Sequence, residues 1–161
     1  MAILISSDAF APQEFIPRKY TDDGENIPPP LTWGGLPPGT KQLALIVDDP
    51  DARMSEPFVH WVLYNIAPNA PGVPVVAALN SLAPPIPPQL CGMIEGLNSH
   101  GKIGYLGPSP PKGHGVHHYH FHLYALDVAI HAAEVLHRRA LLAAMNGHII
   151  EESELVGLYS R

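Results

Sequence analysis

The chain has little of what marks several large classes of protein. It has one cysteine in 161 residues, Cys91, so no internal disulfide can form, and it has no CxxC or zinc-finger spacing. No apolar run approaches the roughly 20 residues that a membrane-spanning helix needs, and the start lacks the basic region of a secretory signal. We therefore expect a soluble, intracellular and cytoplasmic protein without stable membrane insertion.

Basic residues are also scarce. Nine Lys and Arg against fifteen Asp and Glu give a formal net charge of −6, which argues against a protein that binds nucleic acid through its phosphates. The GxSxG, HExxH and GxxxxGK[ST] motifs are missing, so the common hydrolase, metalloprotease and nucleotide-binding sites are not indicated. These absences favour a binding protein over an enzyme, and we expect no cofactor.

Proline, in contrast, is abundant. The chain has 19 prolines, more than twice the usual share of ~5%. Because 46% of the residues are hydrophobic, the chain is not of the disordered kind. Proline at this level limits helices and favours short strands joined by ordered, turn-rich loops. We predict a single domain, 1–161, with an all-β fold and few helices.

Two apolar runs predict the centre of a sheet. Leu43–Val47 stops at the acids of DDPD, and Phe58–Ile66 is apolar on both faces, with His60 as its lone ionisable group. One strong helix follows later in the chain, with Asn146 and Gly147 as its C-terminal cap. The further predicted elements are a third strand at 117–127, this helix at 132–148, and a terminal strand at 149–161.

Two stretches of the chain are predicted to form loops. Phe15–Lys41 is dense in turn signals and should be ordered loop with short strands at most. Pro68–Gly104 is irregular, and we predict only short strands at Met93–Glu95 and beside Gly104. Within it, Pro74–Leu90 is a candidate lid.

Five histidines fall within nine residues at the third predicted strand. Alternation puts His117 and Tyr119 on the mainly apolar face, at the loop end, where a pocket would form. The opposite face is a ladder of His118, His120 and His122. Histidines two apart on a strand can chelate zinc, but the sequence places no obvious acid or further ligand beside them. The pattern therefore favours a half-exposed polar face over a metal site.

His60 needs a partner if its strand is buried. A carboxylate or a bound anion would offset the loss of water around the imidazole. Asp48, Asp49 and Asp51 could supply the carboxylate if the two central strands pair. The alternatives are that DDPD is an Asx-type turn and that His60 is an ordinary satisfied core histidine. If a pocket forms, a nearby Asp49 should raise the pKa of the pocket histidine beside it above about 6.5.

Three motifs carry a family resemblance: LIVDDPDA, HWVLYNI and GYLGPSPPKGHGVHHYHFHLYALD. They resemble the phosphatidylethanolamine-binding protein (PEBP) family, in its bacterial and archaeal branch often called Raf-kinase-inhibitor-like proteins. The similarity extends from YTDDGENIPPPLTWGGLPPGT to LVGLYSR, nearly the whole chain. It implies a large central antiparallel sheet flanked by a smaller sheet and a helix, with an anion pocket at one end.

The resemblance also implies the residues of that pocket. Carried over to this chain, the ligand-binding residues are Asp49, His60, Pro110, Pro111, His117 and Tyr119. Candidate rim residues are Asp51, Arg53, Tyr105 and Gly107. At one rim position the chain departs from the family, because Arg53 stands where proline is common and adds a positive charge near the expected mouth.

The leading interpretation is a protein that binds a small anion, a phosphorylated or carboxylated head group. His60 and His117 would be donors, Asp49 would orient an imidazole, and Tyr119 would close one wall. The resemblance implies regulation of a protein partner, such as a kinase or protease, and suggests a homodimer, although no long amphipathic stripe argues for one. The alternative is an acid/base hydrolase of a phosphoester or ester in the same pocket, for which no clear nucleophile is present.

Overall fold

The computed structural model describes residues 3–70, 72–73 and 92–161. That part of the chain forms short and long strands, one turn of 3-10 helix at Arg18–Tyr20, and one α-helix, α1, at Arg138–Met145. The strands are β1 Leu4–Ser6, β2 Leu31–Gly34, β3 Gln42–Asp49, β4 Phe58–Ile66, β5 Gly72–Val73, β6 Ile94–Glu95, β7 His117–Leu126 and β8 Ile149–Tyr159.

The strands make two antiparallel sheets. The larger has the order β6-β4-β3-β7-β8, and the smaller has the order β1-β2-β5. One core lies between the sheets and includes Trp33 of β2 and Trp61 of β4. A second core lies between the other face of the large sheet and α1, where Leu141 and Met145 are buried. The predicted β-rich architecture with a large sheet, a small sheet and a helix is confirmed.

The central strands match their apolar runs. β3 is buried throughout except at Gln42, since it lies between β4 and β7 with a core on each face. β4 has the predicted bounds. β3 extends beyond its apolar run to include Asp48 and Asp49, which therefore point to opposite faces of the sheet. Because of this alternation, the side chains of Asp48 and Asp49 belong to different faces of the large sheet.

The helix is shorter than predicted, because it begins at Arg138 instead of residue 132. His137 caps it, with Nδ1 accepting a hydrogen bond of 3.2 Å from the N–H of Ala140. Just before the helix, the carbonyl of Leu136 accepts from the N–H of Leu97 at 2.9 Å, and His137 forms a bridge with Leu97. The backbone here pairs with another segment and is therefore not helical. The predicted end is confirmed, since Gly147 after the helix has a φ of 83°.

The remaining predictions concern the loops. The short strand predicted around residues 93–95 is β6, whereas beside Gly104 only an isolated bridge from Leu97 to Ile103 forms. β1, which the sequence did not predict, pairs with β2 through Ile5 and Trp33. The candidate lid at 74–90 lies outside the described residues. Within the described part of the chain, no helix is long and apolar enough to cross a membrane.

Candidate functional site

A cavity of about 480 Å³ opens at one end of the large sheet. It lies where β3 ends and where β4 and β7 begin, because antiparallel neighbours bring these strand ends together. All six residues implied by the family resemblance line it: Asp49, His60, Pro110, Pro111, His117 and Tyr119.

His117 and Asp49 form a buried pair at the base of this cavity. His117 Nδ1 lies 2.6 Å from Asp49 Oδ2, and the two residues are 3% and 4% exposed. The other carboxylate oxygen, Oδ1, accepts from the N–H of Asp51 at 2.8 Å. Asp49 therefore makes an Asx-type turn and also orients an imidazole, which is that of His117 and not that of His60.

His60 has a different partner from the one expected. β3 and β4 do pair, but His60 Nδ1 contacts the backbone carbonyl of Leu106 at 2.6 Å, and Asp49 turns to His117. Burial lowers the pKa of His60, although the Leu106 hydrogen bond and the charges of Asp49 and Asp48 act in the opposite direction. Burial outweighs the charge of Asp49, so the expectation of a pKa above 6.5 is wrong for His60, which is neutral near pH 7.

Tyr119 forms the wall between the two histidines. Its ring meets that of His60 edge to face, with centroids 5.2 Å apart, and stacks beside His117 at 6.4 Å. Burial, reinforced by the charge of Asp49, raises the pKa of Tyr119 well above its ordinary value, so the hydroxyl stays protonated. As a protonated phenol, Tyr119 remains a hydrogen-bond donor at any physiological pH.

Two of the four candidate rim residues line the cavity, and two do not. Arg53 and Gly107 line the cavity. Asp51 does not, since its carboxylate binds the N–H and Nδ1 of His118 at 2.7 Å. Tyr105 lies behind the wall, where it packs against Trp61 and donates to the carbonyl of Tyr20.

Other lining residues were missed by the sequence analysis. Asn26 holds one wall in place, because its Oδ1 accepts from the N–H of Gly107 at 2.7 Å. His114 stacks on His117 with centroids 5.7 Å apart, and its Nδ1 is buried without a hydrogen-bond partner among the described residues. The remaining lining residues that it missed are Asp22, Ala52, Met54, Phe58, His100, Leu106 and Ser109. Nothing in their local pattern marks them, except that His114 belongs to the histidine-rich stretch.

The histidine ladder lies on the opposite face of β7 and is half-exposed, as predicted. The expectation that no acid lies beside it is wrong. His120 Nδ1 is 3.0 Å from Glu154 Oε1, and His122 Nδ1 is 3.3 Å from Glu154 Oε2. Asp48 contacts the same ring, with Oδ1 3.3 Å from His122 Nε2. These carboxylates come from the neighbouring strands β8 and β3.

Comparison with known proteins assigns the fold to a family. The family model described as phosphatidylethanolamine-binding protein matches residues 6–160. The chain belongs to the PEBP family. A UPF0098 protein of Pyrococcus horikoshii is 46% identical over 161 residues, which are 100% of this chain and 78% of that protein. Membership of the PEBP family points to a binding function.

Solved structures of PEBP homologues agree with this assignment. The crystal structure of a putative PEBP homologue from Chlamydia trachomatis has a TM-score of 0.85 at 36% identity, covering 99% of this chain and 98% of that one. YbcL of E. coli, described as a new member of the mammalian PEBP family, has a TM-score of 0.88 at 28% identity, covering 100% and 99%. Both structures therefore support the PEBP fold for the described residues.

Proposed function

We propose that the chain binds a small anion, a phosphorylated or carboxylated head group, in the cavity at the end of the large sheet. One observation carries the proposal: two buried imidazoles, those of His60 and His117, line one cavity while Leu106 and Asp49 hold their Nδ1 atoms. No described residue makes a hydrogen bond with either Nε2 atom, so both are left for a ligand. The protonated hydroxyl of Tyr119 adds a donor between them.

The protonation state of His60 decides how such a ligand binds. Its Nδ1–H donates to Leu106, so in the neutral ring Nε2 is an acceptor. A phosphate that keeps one acidic hydrogen donates to that atom directly. Sulfate has no such hydrogen at neutral pH and binds with uptake of a proton by His60. Because the pKa of His60 is lowered, sulfate affinity should rise as the pH falls below about 6.5.

Calorimetric titration of sulfate, inorganic phosphate, O-phosphoethanolamine and acetate tests the proposal. His60→Ala should weaken sulfate and phosphate binding about 10- to 100-fold, the effect of losing one charge-assisted hydrogen bond. His148→Ala is the matched control, because that histidine is exposed and pairs with Asp127 away from the cavity. Failure of all four ligands to bind the wild type, or binding unaffected by His60→Ala, would refute the proposal.

The source of the head group is a separate question. O-phosphoethanolamine presents the phosphate and amine of phosphatidylethanolamine without its acyl chains. We expect it to bind, while neutral phosphatidylethanolamine vesicles do not sediment the protein, because the chain carries a net charge of −6 and has no basic amphipathic helix in its described part. Strong sedimentation at physiological salt would shift the proposal to an intact lipid.

We propose that the chain regulates a protein partner, such as a kinase or protease. This proposal of regulation rests on the family resemblance. Arg53 and Met54 line the cavity, and Met54 is 58% exposed, so a partner could contact them at the mouth. Inhibition of kinase and protease panels, measured with and without saturating phosphate, tests this part. Inhibition that Met54→Asp abolishes would support it, and no inhibition of any panel member would count against it.

The buried His117–Asp49 pair favours a second candidate, an acid/base hydrolase of a phosphoester or ester. A carboxylate that holds Nδ1 leaves Nε2 placed to take a proton, as in a general base. Turnover of a phosphoester and ester panel distinguishes this candidate from simple binding. Activity that disappears in His117→Gln supports an enzyme, whereas activity that survives the substitution comes from a contaminant.

A further inference from the structure

The outer face of the large sheet gathers a second group of side chains that the pocket does not use. β7 presents His120 and His122, and β8 presents Glu154 directly opposite His122 in the antiparallel register. One nitrogen of each histidine and one oxygen of the glutamate all lie within 4.8 Å of one another. Two ring nitrogens and a carboxylate therefore converge on one point of the surface.

The spacing suits a metal ion. Zinc binds imidazole nitrogen at about 2.0–2.1 Å and carboxylate oxygen at about 2.0–2.2 Å, which puts tetrahedral neighbours roughly 3.3–3.5 Å apart. The Nδ1 atoms of His120 and His122 lie 3.0 and 3.3 Å from the two oxygens of Glu154. All three ligand atoms lie within 4.8 Å of one another, so rotations of these partly exposed side chains would close the remaining distance around the ion.

Asp48 supplies an outer contact of the kind that metal-binding histidines commonly have. It is 4% exposed, and its Oδ1 lies 3.3 Å from His122 Nε2. Its other oxygen is 3.4 Å from Nε of Arg138, which holds the carboxylate in place from α1. A hydrogen bond from Nε2–H to Asp48 leaves the lone pair of His122 on Nδ1, the atom that faces Glu154.

We propose that His120, His122 and Glu154 bind a divalent transition metal ion, with Asp48 positioning His122. Two imidazoles and one carboxylate suit Zn²⁺ and similar ions such as Co²⁺, and they do not suit Mg²⁺ or Ca²⁺, which take oxygen ligands. The ligand side chains are 25%, 26% and 44% exposed, so the fourth position is open to water or to an external ligand. This inference is independent of the anion pocket.

Titration of Zn²⁺ into untagged, chelator-treated protein at pH 8, followed by calorimetry, tests the site. We expect one equivalent to bind the wild type. Removal of an outer contact alone weakens metal binding roughly 10- to 100-fold. Because His120→Ala and Glu154→Gln each remove a ligand, we expect each to weaken Zn²⁺ binding by at least that factor. His148→Ala is the control, because it removes an exposed histidine with its own carboxylate, Asp127, at 2.9 Å.

Co²⁺ gives a second, spectroscopic readout that does not depend on calorimetry. An ion held by these three ligands and water should show the intense visible absorption of a four-coordinate complex, and His120→Ala should remove it. Circular dichroism of the metal-free proteins checks that each variant is folded. The proposal is overturned if the wild type binds no Zn²⁺, if His148→Ala weakens binding as much as His120→Ala, or if bound Co²⁺ keeps the spectrum of the aqueous ion.

Discussion

Strand β7 holds histidines in two contrasting environments. On its inner face, His117 is 3% exposed and bonds one carboxylate, Asp49, which is buried as deeply. On its outer face, the His122 side chain is 26% exposed and contacts two carboxylates, those of Asp48 and Glu154. A buried group has no water to replace a lost partner, whereas a half-exposed group does. Histidine on the inner face therefore depends on its carboxylate partner for stability, whereas histidine on the outer face is free to take a different partner.

The pKa values of His60 in the pocket and of His122 on the outer face move in opposite directions. Burial lowers the pKa of His60, whose direct hydrogen bond is to a neutral carbonyl. Burial also acts against protonation of His122, but the hydrogen bond and charge of Asp48 and the charge of Glu154 outweigh it and raise the pKa. Between these two residues, the difference lies in the carboxylate contacts that His122 has and His60 lacks.

Removing one carboxylate from each face should give the largest difference. Asp49→Ala leaves His117 buried without its partner, and we expect it to lower the free energy of unfolding by about 3–5 kcal/mol. Glu154→Ala on the half-exposed face should cost less than about 1 kcal/mol. Urea unfolding of metal-free wild type and both variants measures this comparison. Equal losses would mean that the two faces do not differ in the way described.

The pocket wall should also tolerate less added volume than an exposed strand does. A Cβ on Gly107 would meet the Asn26 side chain and come within 2.8 Å of the backbone oxygen of Tyr20, so the loop would have to shift. We expect Gly107→Ala to cost about 1–3 kcal/mol and to weaken anion binding. Gly34→Ala, where an added Cβ meets nothing within 4 Å, is the control. Thermal melts of both variants should separate them by several degrees, and coincident melts would contradict the close packing of this wall.

A smaller effect should appear in the pH dependence of stability. Because the pKa of His60 is lowered on folding, the unfolded chain binds more protons at this residue as the pH falls. Its contribution to the free energy of unfolding is complete above the unfolded pKa of about 6.5 and declines as the pH falls toward the lowered folded value. His60→Gln should therefore lose less stability than the wild type between pH 7.5 and 5.

Urea unfolding at several pH values in that range gives the slopes. His148→Gln is the control, because its side chain is about half exposed and is not buried on folding as His60 is. If the wild type and His60→Gln lose stability in parallel, then His60 does not titrate as a buried neutral group. That outcome would also remove the reason for expecting sulfate to bind better in acid.

Patterns within a single strand were enough to predict much of the fold and of the pocket. β4 has its predicted bounds, and alternation along β7 put His117 and Tyr119 at a pocket edge. Contacts between distant segments could not be predicted in this way. Glu154 meets His122 only through the register of β8 against β7, across an intervening helix, and the pattern of neither strand specifies that register.

The helix start shows the same limit. The residues before Arg138 have a helical pattern, but Leu97 donates to the carbonyl of Leu136 and forms a bridge with His137, and these long-range contacts override local propensity. His60 is a further case, because its partner is a carbonyl contributed by the loop at Leu106. A carbonyl belongs to every residue, so no side-chain pattern could have indicated it.

If the two faces of the large sheet carry separate sites for an anion and a metal ion, a crossed titration must distinguish them. Sulfate at pH 5.5 and Zn²⁺ at pH 8 are titrated separately into the wild type, His60→Ala and His120→Ala. Our expectation is that His60→Ala weakens sulfate binding about 10- to 100-fold and leaves Zn²⁺ binding unchanged, while His120→Ala does the reverse. Loss of sulfate binding in His120→Ala as large as that in His60→Ala would contradict it.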